Sequence, residues 1–398
     1  MSKARLAIPS LFILVLMISV GPFGDTLYTP SLPDIAKDLA AAYSDVQLTM
    51  TSYLFGYAVS QLIYGPLSDR YGRRPIMLVG AFAFVIGSLI CMLSINVDML
   101  IFGRLVQGLG ACAGAVISSA AVRDAFPASE QGKVFAKMNI AFAIAPGIGP
   151  VVGTFIAHYS NWHMNFLVLL VLSIIVLLSV YWLFPETIKI KNRHAIHPIK
   201  LVITYFSLFK CSGYLVYLLL LGISVGMVYG SLVEAPGLLI NVMKLDEKWF
   251  LVIAVGIVFA FMLGSLFCTM LCSVVNENWI LVFGMLIILA GSILLWVLMA
   301  LDYVNIWGLL IPMVIIFIGI AFEIPIATAK ALASFDKNAG SAAAMMGFFQ
   351  MGMASLVTAI ATFIDLGRVF TMPVCFAILS VIGLTTILGY VFYLKKTA

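Results

Sequence analysis

The sequence predicts an all-α integral membrane protein, with twelve transmembrane helices in two pseudo-symmetric halves of six. Of its 398 residues, 63% are hydrophobic and 10% are charged, whereas about a quarter of the residues in a soluble domain are charged. The apolar runs are long enough to cross a bilayer, which takes ~20 residues of helix. A long polar segment near the middle of the chain divides these runs into two groups of six.

The predicted spans are joined by short polar connections, apart from one longer segment between Glu186 and Lys210. They lie near residues 8–29, 46–65, 75–94, 98–121, 134–157, 164–184, 213–236, 249–273, 279–300, 305–329, 340–363 and 370–394. We therefore expect an N-terminal six-helix bundle at 1–187, a cytoplasmic linker at 188–211 and a C-terminal six-helix bundle at 212–398.

The basic residues predict the orientation of these spans. If the N-terminus is cytoplasmic, sixteen of the 22 Lys and Arg residues lie on the cytoplasmic side and four lie on the opposite side. Cytoplasmic loops of membrane proteins carry such an excess, so we expect both termini in the cytoplasm. The net charge of +5 reflects these scattered loop residues, and it does not indicate a nucleic-acid partner.

Two sequence patterns for enzymatic chemistry are missing from the chain. It contains no GxxxxGK[ST] loop and no HExxH. Its six cysteines form no CxxC pair and lack the neighbouring ligands that a zinc site needs. We expect no enzymatic activity, no cofactor and no bound metal. Two six-helix halves are the repeat pattern of many secondary transporters, so any transport would use an ion gradient or run downhill.

One polar stretch, GPLSDRYGRRP at residues 65–75, lies at the predicted cytoplasmic turn between the second and third spans. Its arginines fit a cytoplasmic turn, but Asp69 opposes the positive-inside signal. Gly65 would let a neighbouring helix approach closely, and Asp69 would then accept hydrogen bonds from the N-terminus of that helix. The residues of this candidate cytoplasmic gate are Gly65, Asp69, Arg70, Gly72, Arg73 and Arg74.

This stretch resembles the signature loop of the major facilitator superfamily. The preceding residues 53–64 are similar to the Bcr/CflA subfamily of drug:proton antiporters, and further helix motifs of the family are resembled at 24–30, 104–111, 145–153 and 340–350. The resemblance implies the major facilitator fold and a bacterial inner membrane. It is weaker in the second half, because the turn at 273–278 that should mirror the first carries no arginine. We therefore expect an asymmetric inner gate in which Asp69 has the larger part.

The candidate proton-coupling residues are Asp25 in the first span and Arg104 in the fourth. A lone carboxylate in hydrocarbon costs ~3 kcal/mol or more, so Asp25 should face a cavity and have a partner. It would bind and release a proton in each cycle, or else it would be permanently paired and structural. Arg104 lies at a matching depth, and the resemblance implies a role for it in proton coupling. Gln107, three residues later on nearly the same face, would complete its hydrogen bonds.

Other polar and aromatic residues are candidates for a substrate cavity. Glu323 would bind a cationic substrate or a second proton, or it would be a polar anchor towards the cytoplasmic end. Glu234 lies near an outer helix end, so a place at the interface is equally open. Aromatic residues suit a lipophilic substrate, although they also fill any helix bundle. The candidate set is Asp25, Tyr28, Tyr53, Tyr57, Gln107, Glu234, Glu323 and Phe349.

A motif in the predicted fifth span combines helix-bending and small residues. Its members are Pro146, Gly147, Gly149, Pro150 and Gly153. The Gly149-xxx-Gly153 spacing allows a neighbouring helix to approach closely. The motif would serve packing alone, or it would form a hinge or seal that stops protons leaking on the outer side. Its resemblance to the antiporter motif of the family favours antiport.

The resemblance and the intramembrane charges together imply a monomeric secondary active transporter. We expect it to export lipophilic drugs or a small secreted metabolite, such as a siderophore, in exchange for protons by alternating access. One alternative is a proton-coupled symporter that imports a nutrient or a metal chelate, and the antiporter-type fifth span argues against it. Another is a transport-inactive membrane receptor with structural charges, which the lack of a sizeable soluble domain disfavours.

Overall fold

A computed structural model of the chain describes residues 8–188, 191–192, 195–245, 248–333, 335, 339–364 and 369–397. Every regular element within these residues is helical, which confirms the predicted all-α membrane class. The chain divides into two compact units, Met1–Ser207 and Leu208–Ala398.

Long helices make up the described part of both units. In the first unit they are α1 (Leu11–Thr26), α2 (Leu32–Asp38), α3 (Tyr43–Tyr71), α4 (Arg73–Met92), α5 (Val97–Ala125), α6 (Ala128–Tyr159), α7 (His163–Leu183) and α8 (Pro198–Leu208), with a 3₁₀ turn at Thr29–Ser31. From the second unit come α9 (Ser212–Pro236), α10 (Lys248–Leu271), α11 (Glu277–Ala300), α12 (Ile306–Ala333), α13 (Ala339–Phe363) and α14 (Thr371–Thr397), with a π-helical turn at Gly237–Val242.

Eleven helical segments in the described part of the chain are long and apolar enough to cross a membrane. α3 is not among them, although it has 29 residues, because its Gln, Ser, Thr and Tyr side chains lower its hydropathy. Several of these side chains are buried against protein, including Gln47, Thr49 and Ser60. The second predicted span, 46–65, lies inside α3, and a total of twelve spans stays a prediction.

Local signals in the sequence fix several helix ends. Ser10, Asn96 and Asn276 each accept a hydrogen bond from a backbone N–H in the first turn of α1, α5 and α11 respectively. Such side chains are the preferred N-caps of helices. α3 passes into α4 at Gly72, whose φ of +116° is a conformation that glycine adopts at little cost.

α5 packs against its neighbours at backbone distance. A Cβ on Gly108 would overlap the carbonyl oxygen of Tyr53 on α3. A Cβ on Gly114 would overlap the carbonyl oxygen of Met17 on α1. Small residues permit this kind of approach between membrane helices. The packing brings Arg104, which precedes Gly108 by about one helical turn, to the place where α1 and α3 meet.

α8 lies within the predicted linker 188–211, and the residues after α7 are bound to the C-terminal part of α3. The Tyr205 hydroxyl donates to the carbonyl oxygen of Leu62 at 3.1 Å. The backbone N–H of Asn192 donates to the carbonyl oxygen of Asp69 at 3.0 Å. This part of the linker is therefore a structured portion of the first unit.

Candidate functional site

Arg104 on α5 has no exposed surface. Its Nη1 donates to the backbone carbonyl of Gly24 on α1 at 2.7 Å, and also to Oε1 of Gln107. Gln107 donates in turn from Nε2 to Oγ of Ser88 on α4 at 2.8 Å. The i, i+3 spacing predicts the contact with Gln107, whereas no local pattern points to Ser88 on another helix. The guanidinium is thereby fixed between α1, α4 and α5.

Two tyrosine rings cover the Arg104 guanidinium, with their centres 4.3 Å (Tyr28) and 4.1 Å (Tyr53) from its Cζ. These are cation–π distances. The Tyr28 hydroxyl is bonded to Thr49 Oγ1 at 2.9 Å. The Tyr53 hydroxyl donates to the carbonyl of Gly21 at 2.8 Å. Among the described residues, Nε and Nη2 of Arg104 reach no acceptor at hydrogen-bonding geometry, so two charged donors can take a further acceptor.

Asp25 follows Gly24 directly on α1 and is 3% exposed. Gly24 accepts from Arg104, and a Cβ on Gly24 would come within 2.9 Å of the Tyr53 hydroxyl, so Asp25 is next in the chain to a residue that contacts both. Tyr57 adjoins this cluster, with its ring centre 6.4 Å from that of Tyr53. The structure thus brings the predicted acid and the predicted cation to neighbouring positions on α1 and α5. A direct bond between their side chains stays a prediction.

The antiporter-like motif lies on α6 and packs on the end of α1, next to Asp25. A Cβ on Gly149 would overlap Oγ1 of Thr26. A Cβ on Gly153 would overlap the carbonyl oxygen of Leu27. The close helix approach that the Gly-xxx-Gly spacing predicts is therefore made between α6 and α1.

The remaining residues of the motif give no evidence of a break in the helix. α6 is continuous from Ala128 to Tyr159 and includes Pro146, Gly147 and Pro150. The side chain of Pro146 lies outside the described part of the structure. A hinge or seal at this helix stays a prediction.

Arg73 is the centre of the candidate cytoplasmic gate. Its Nη1 lies 2.6 Å from Oδ1 of Asp69 and also 2.6 Å from Oγ of Ser68. Its Nε lies 2.8 Å from Oδ2 of Asp124 at the end of α5. A Cβ on Gly65 would meet no described atom within 4 Å, so the approach of another helix at this glycine stays a prediction. Asp69 here makes its ion pair within its own turn.

The other two arginines of the gate have different surroundings. Arg70 is exposed, and its guanidinium lies 5.2 Å from the ring centre of Tyr71. Arg74 donates to the carbonyl oxygen of Tyr181 near the end of α7. Arg74 therefore joins the turn to α7, while Arg70 is left at the surface.

Glu186 closes the start of α4, although no local sequence signal distinguishes it. Its Oε1 accepts from the backbone N–H of Arg73 at 2.9 Å, and its Oε2 accepts from that of Arg74 at 3.4 Å. A Cβ on Gly72 would overlap Oε2, so this glycine provides both the turn and the space for the acid. A negative charge is stabilised at a helix N-terminus. The partners are 113 residues apart in the chain, which is why sequence patterns miss the contact.

The second unit contains the three other candidate residues. Glu323 on α12 is fully buried against Gly284 of α11. Glu234 near the end of α9 is 9% exposed. Phe349 on α13 is half-buried, and its ring is in T-shaped contact with Phe209 and Phe348. A substrate-binding role for these residues stays a prediction.

The turn between α10 and α11 is held by a smaller polar network than the first turn. Oε2 of Glu277 lies 2.9 Å from Nζ of Lys330 on α12. The Tyr217 hydroxyl donates to Oδ1 of Asn278 at 3.0 Å. The turn of the second unit thus has an ion pair between α11 and α12, whereas the turn of the first unit has the network around Arg73.

Comparison with known proteins decides the family. The family model described as Major Facilitator Superfamily matches residues 14–362. The chain belongs to the major facilitator superfamily. Multidrug resistance protein D of Escherichia coli K12 is 30% identical over 353 residues, or 85% of each chain. The bicyclomycin resistance protein homolog of Haemophilus influenzae is 30% identical over 388 residues, or 93% of this chain and 94% of the relative.

A solved structure shows the same fold. The partially occluded, inward-open conformation of the xylose transporter XylE from E. coli covers 96% of this chain and 97% of its own, with a TM-score of 0.74. At 15% sequence identity this likeness concerns the fold alone.

Membership of the major facilitator superfamily makes the chain a multi-pass membrane transporter, in a family of transporters and not of enzymes. The predicted resemblance, including its Bcr/CflA character, is confirmed by the drug-resistance relatives. The matched region contains both the Arg104 cluster and the α3–α4 turn.

Proposed function

We propose that this major facilitator exports lipophilic drugs or a small secreted metabolite, with siderophores among the candidates, in exchange for protons by alternating access. The observation that carries the proposal is the Asp25–Arg104 cluster, whose acid is 3% exposed and whose cation is fully buried. Ionisable groups inside a membrane mark ion and substrate pathways. The names of the two drug-resistance relatives support this class of substrate.

Arg104 provides the physical link between a proton and the helices. Its Nη1 is occupied by Gly24 and Gln107, while Nε and Nη2 reach no acceptor. When Asp25 releases its proton, its carboxylate accepts hydrogen bonds from those two donors. Charge-assisted bonds of this kind are short and strong, so deprotonation draws α1 towards α5. A returning proton weakens the contact and lets α1 move.

In the proposal, the α6–α1 contact acts on the outer side of the membrane and the α3–α4 turn acts on the cytoplasmic side. Gly149 and Gly153 hold α6 against the residues directly after Asp25, where the contact limits proton leakage on the outer side. On the cytoplasmic side, Asp69 and Arg73 make and break their pair as the inner gate moves. The protein acts as a monomer in a bacterial inner membrane, with both termini in the cytoplasm, as the excess of cytoplasmic Lys and Arg indicates.

The test uses purified protein in liposomes that contain a trapped pH-sensitive dye. A quaternary ammonium dye, chloramphenicol or a hydroxamate siderophore is added outside, and the pH of the lumen is recorded. Antiport moves protons outwards as the compound enters and raises the pH of the lumen, whereas symport lowers it. A permanently charged compound is included because it cannot carry a proton across the lipid by itself.

The variants decide which residue carries the proton. Asp25→Asn is expected to abolish the pH change, and Asp98→Asn is the matched control because it removes an exposed carboxylate from the first turn of α5. A fall in pH would establish the symporter instead. A pH change that survives Asp25→Asn would remove Asp25 from the proposal. No pH change and no uptake with any compound would favour the receptor.

A further inference from the structure

Glu323 has an unusual position for an acid, because it is fully buried in the middle of α12 and, among the described residues, neither carboxyl oxygen has a hydrogen-bond partner at full geometry. The backbone N–H of Met285 on α11 approaches the carboxyl as a weak hydrogen-bond donor, although it does not reach either oxygen at full hydrogen-bonding geometry. In a helix that amide already donates to the carbonyl four residues earlier. Glu323 therefore faces the backbone of α11 and not an ionic partner.

The packing of α11 on α12 leaves room for the carboxyl. A Cβ on Gly284 would come within 2.6 Å of Oε1 of Glu323. One helical turn away, a Cβ on Gly319 would come within 2.8 Å of the carbonyl oxygen of Gly284. The two helices thus cross at backbone distance, and glycine at 284 provides the space that Glu323 occupies.

The charged and titratable groups on the surrounding helices leave Glu323 without a cation. On α10, Cys268 is nearest, with its Sγ 4.0 Å from the carbonyl oxygen of Phe322. On α11, Glu277 holds Lys330 of α12 at 2.9 Å, and Lys330 is seven residues, about 10 Å, from Glu323 along the helix. On α9, the titratable groups are Tyr214, Tyr217, Tyr229 and Glu234. The Tyr217 hydroxyl donates to Asn278, and Glu234 lies near the opposite end of the helix.

An ionised carboxylate in this position would have lost its water without gaining a compensating charge, which is strongly unfavourable. The neutral acid does not have this cost. We propose that Glu323 is a second proton-binding site, which keeps its proton while α11 and α12 are packed over it and releases it when they separate. On release the O–H bond breaks and the proton passes to water admitted between the helices. The inference rests on the proposed function only in its last step, the use of this proton in transport.

The protonation state can be measured without knowing the substrate. Infrared spectroscopy of the purified protein at neutral pH is expected to show the carbonyl stretch of a protonated carboxylic acid. The band should be lost in Glu323→Gln and kept in Glu277→Gln, a matched control whose carboxylate pairs with Lys330. An unchanged band in Glu323→Gln would overturn the proposal. If that variant does not fold, Glu323→Asp should retain an acid band at a shifted frequency, and its absence would count equally against the proposal.

The packing that keeps the proton in place can be tested with a glycine pair. Gly284→Ala adds a methyl group against the carboxyl, so the acid band should shift and exchange with deuterium faster than in the wild type. Gly352→Ala on α13 is the control, since its Cβ would meet no described atom within 4 Å. Equal band positions and exchange rates in the two variants would show that the α11–α12 crossing does not protect the proton.

The use of the proton is measured in the liposomes described above, with the quaternary ammonium dye. Glu323→Gln is expected to move fewer protons for each dye molecule than the wild type, whereas the exposed Glu130→Gln should match it. An unchanged ratio would overturn a role in transport. If the wild type moves no protons with any compound, the proposed function fails, while the infrared band still decides whether Glu323 binds a proton.

Discussion

Two buried ionisable side chains, one in each unit, have opposite kinds of surroundings. Arg104 in the first unit is held by a carbonyl oxygen, an amide oxygen and two aromatic rings. Glu323 in the second unit is equally buried and faces a glycine and helix backbone. A guanidinium stays charged at any physiological pH, so its partners must be permanent. A carboxyl can become neutral, so its surroundings can be sparse. Arg104 thus carries a fixed charge, whereas the charge of Glu323 changes with its proton in the second-site proposal.

The α3–α4 turn of the first unit and the α10–α11 turn of the second show the same contrast. Arg73 joins Asp69, Asp124 and Ser68 at the α3–α4 turn. The α10–α11 turn is tied to α12 by the single pair of Glu277 with Lys330. The predictions below test whether the first unit depends on its polar contacts more than the second does.

Replacing Arg104 should have the largest effect. Arg104→Ala leaves an unfilled space and an unsatisfied Gly24 carbonyl, for an expected loss of about 3 kcal/mol or more. Arg104→Lys keeps the charge, but an ammonium cannot stack between two rings and also bond to both oxygens. Dye-driven proton movement in Arg104→Lys should fall by about tenfold or more, the result of losing ~1.4 kcal/mol.

Thermal unfolding in detergent measures the loss of stability, with the exposed Arg70→Ala as the control. If Arg104→Ala and Glu323→Gln destabilise the protein equally, the contrast between the two units is wrong.

Gly153→Ala should have the second largest effect on stability. Its methyl group would overlap the carbonyl oxygen of Leu27, so α6 and α1 must separate at an expected cost of about 1–3 kcal/mol. Gly132→Ala on the same helix is the control, because its Cβ would meet no described atom within 4 Å. The melting temperatures of the two variants are compared, together with the rate at which protons leak through liposomes. Equal stability and equal leak would mean that the α6–α1 contact neither packs tightly nor seals.

The two turns can be compared directly with Arg73→Ala and Lys330→Ala. Arg73 is 8% exposed and makes three polar contacts, so its loss should cost about 1–2 kcal/mol after allowance for solvent screening. Lys330 is 24% exposed and pairs with a half-exposed Glu277, so its loss should cost at most ~1 kcal/mol. Thermal unfolding at low and high salt measures both. A larger loss of stability in Lys330→Ala than in Arg73→Ala would show that the second turn depends more on its polar contacts than the first.

Glu186→Ala should have a small and local effect, about 1 kcal/mol, which is the usual value for a lost helix cap. Faster hydrogen exchange at the first amides of α4 would locate the change, with the exposed Glu130→Ala as the control. Exchange that is unaffected at Arg73 and Arg74 would show that water replaces the carboxylate at no cost.

Contacts within one helix could be predicted from the sequence, and contacts between distant helices could not. The spacing of Arg104 and Gln107 predicts their bond, and Gly149-xxx-Gly153 predicts a close approach without naming α1 as the partner. The tyrosine pair around Arg104 depends on how α1 and α3 are rotated about their axes, which apolar periodicity does not determine in a membrane bundle. Glu323 shows the same limit: its depth is readable from the sequence, but the helix that it faces is not.

The bond between Glu186 and the start of α4 also has a consequence for how the protein is made. A chain is synthesised from its N-terminus and tends to fold in that order, yet the two partners are separated by 113 residues. The backbone N–H groups of Arg73 and Arg74 must rely on water until α7 has been synthesised and Glu186 has emerged. The α3–α4 turn is therefore a late product of biosynthesis, and its contacts are not complete in a nascent chain before α7 of the first unit has been made.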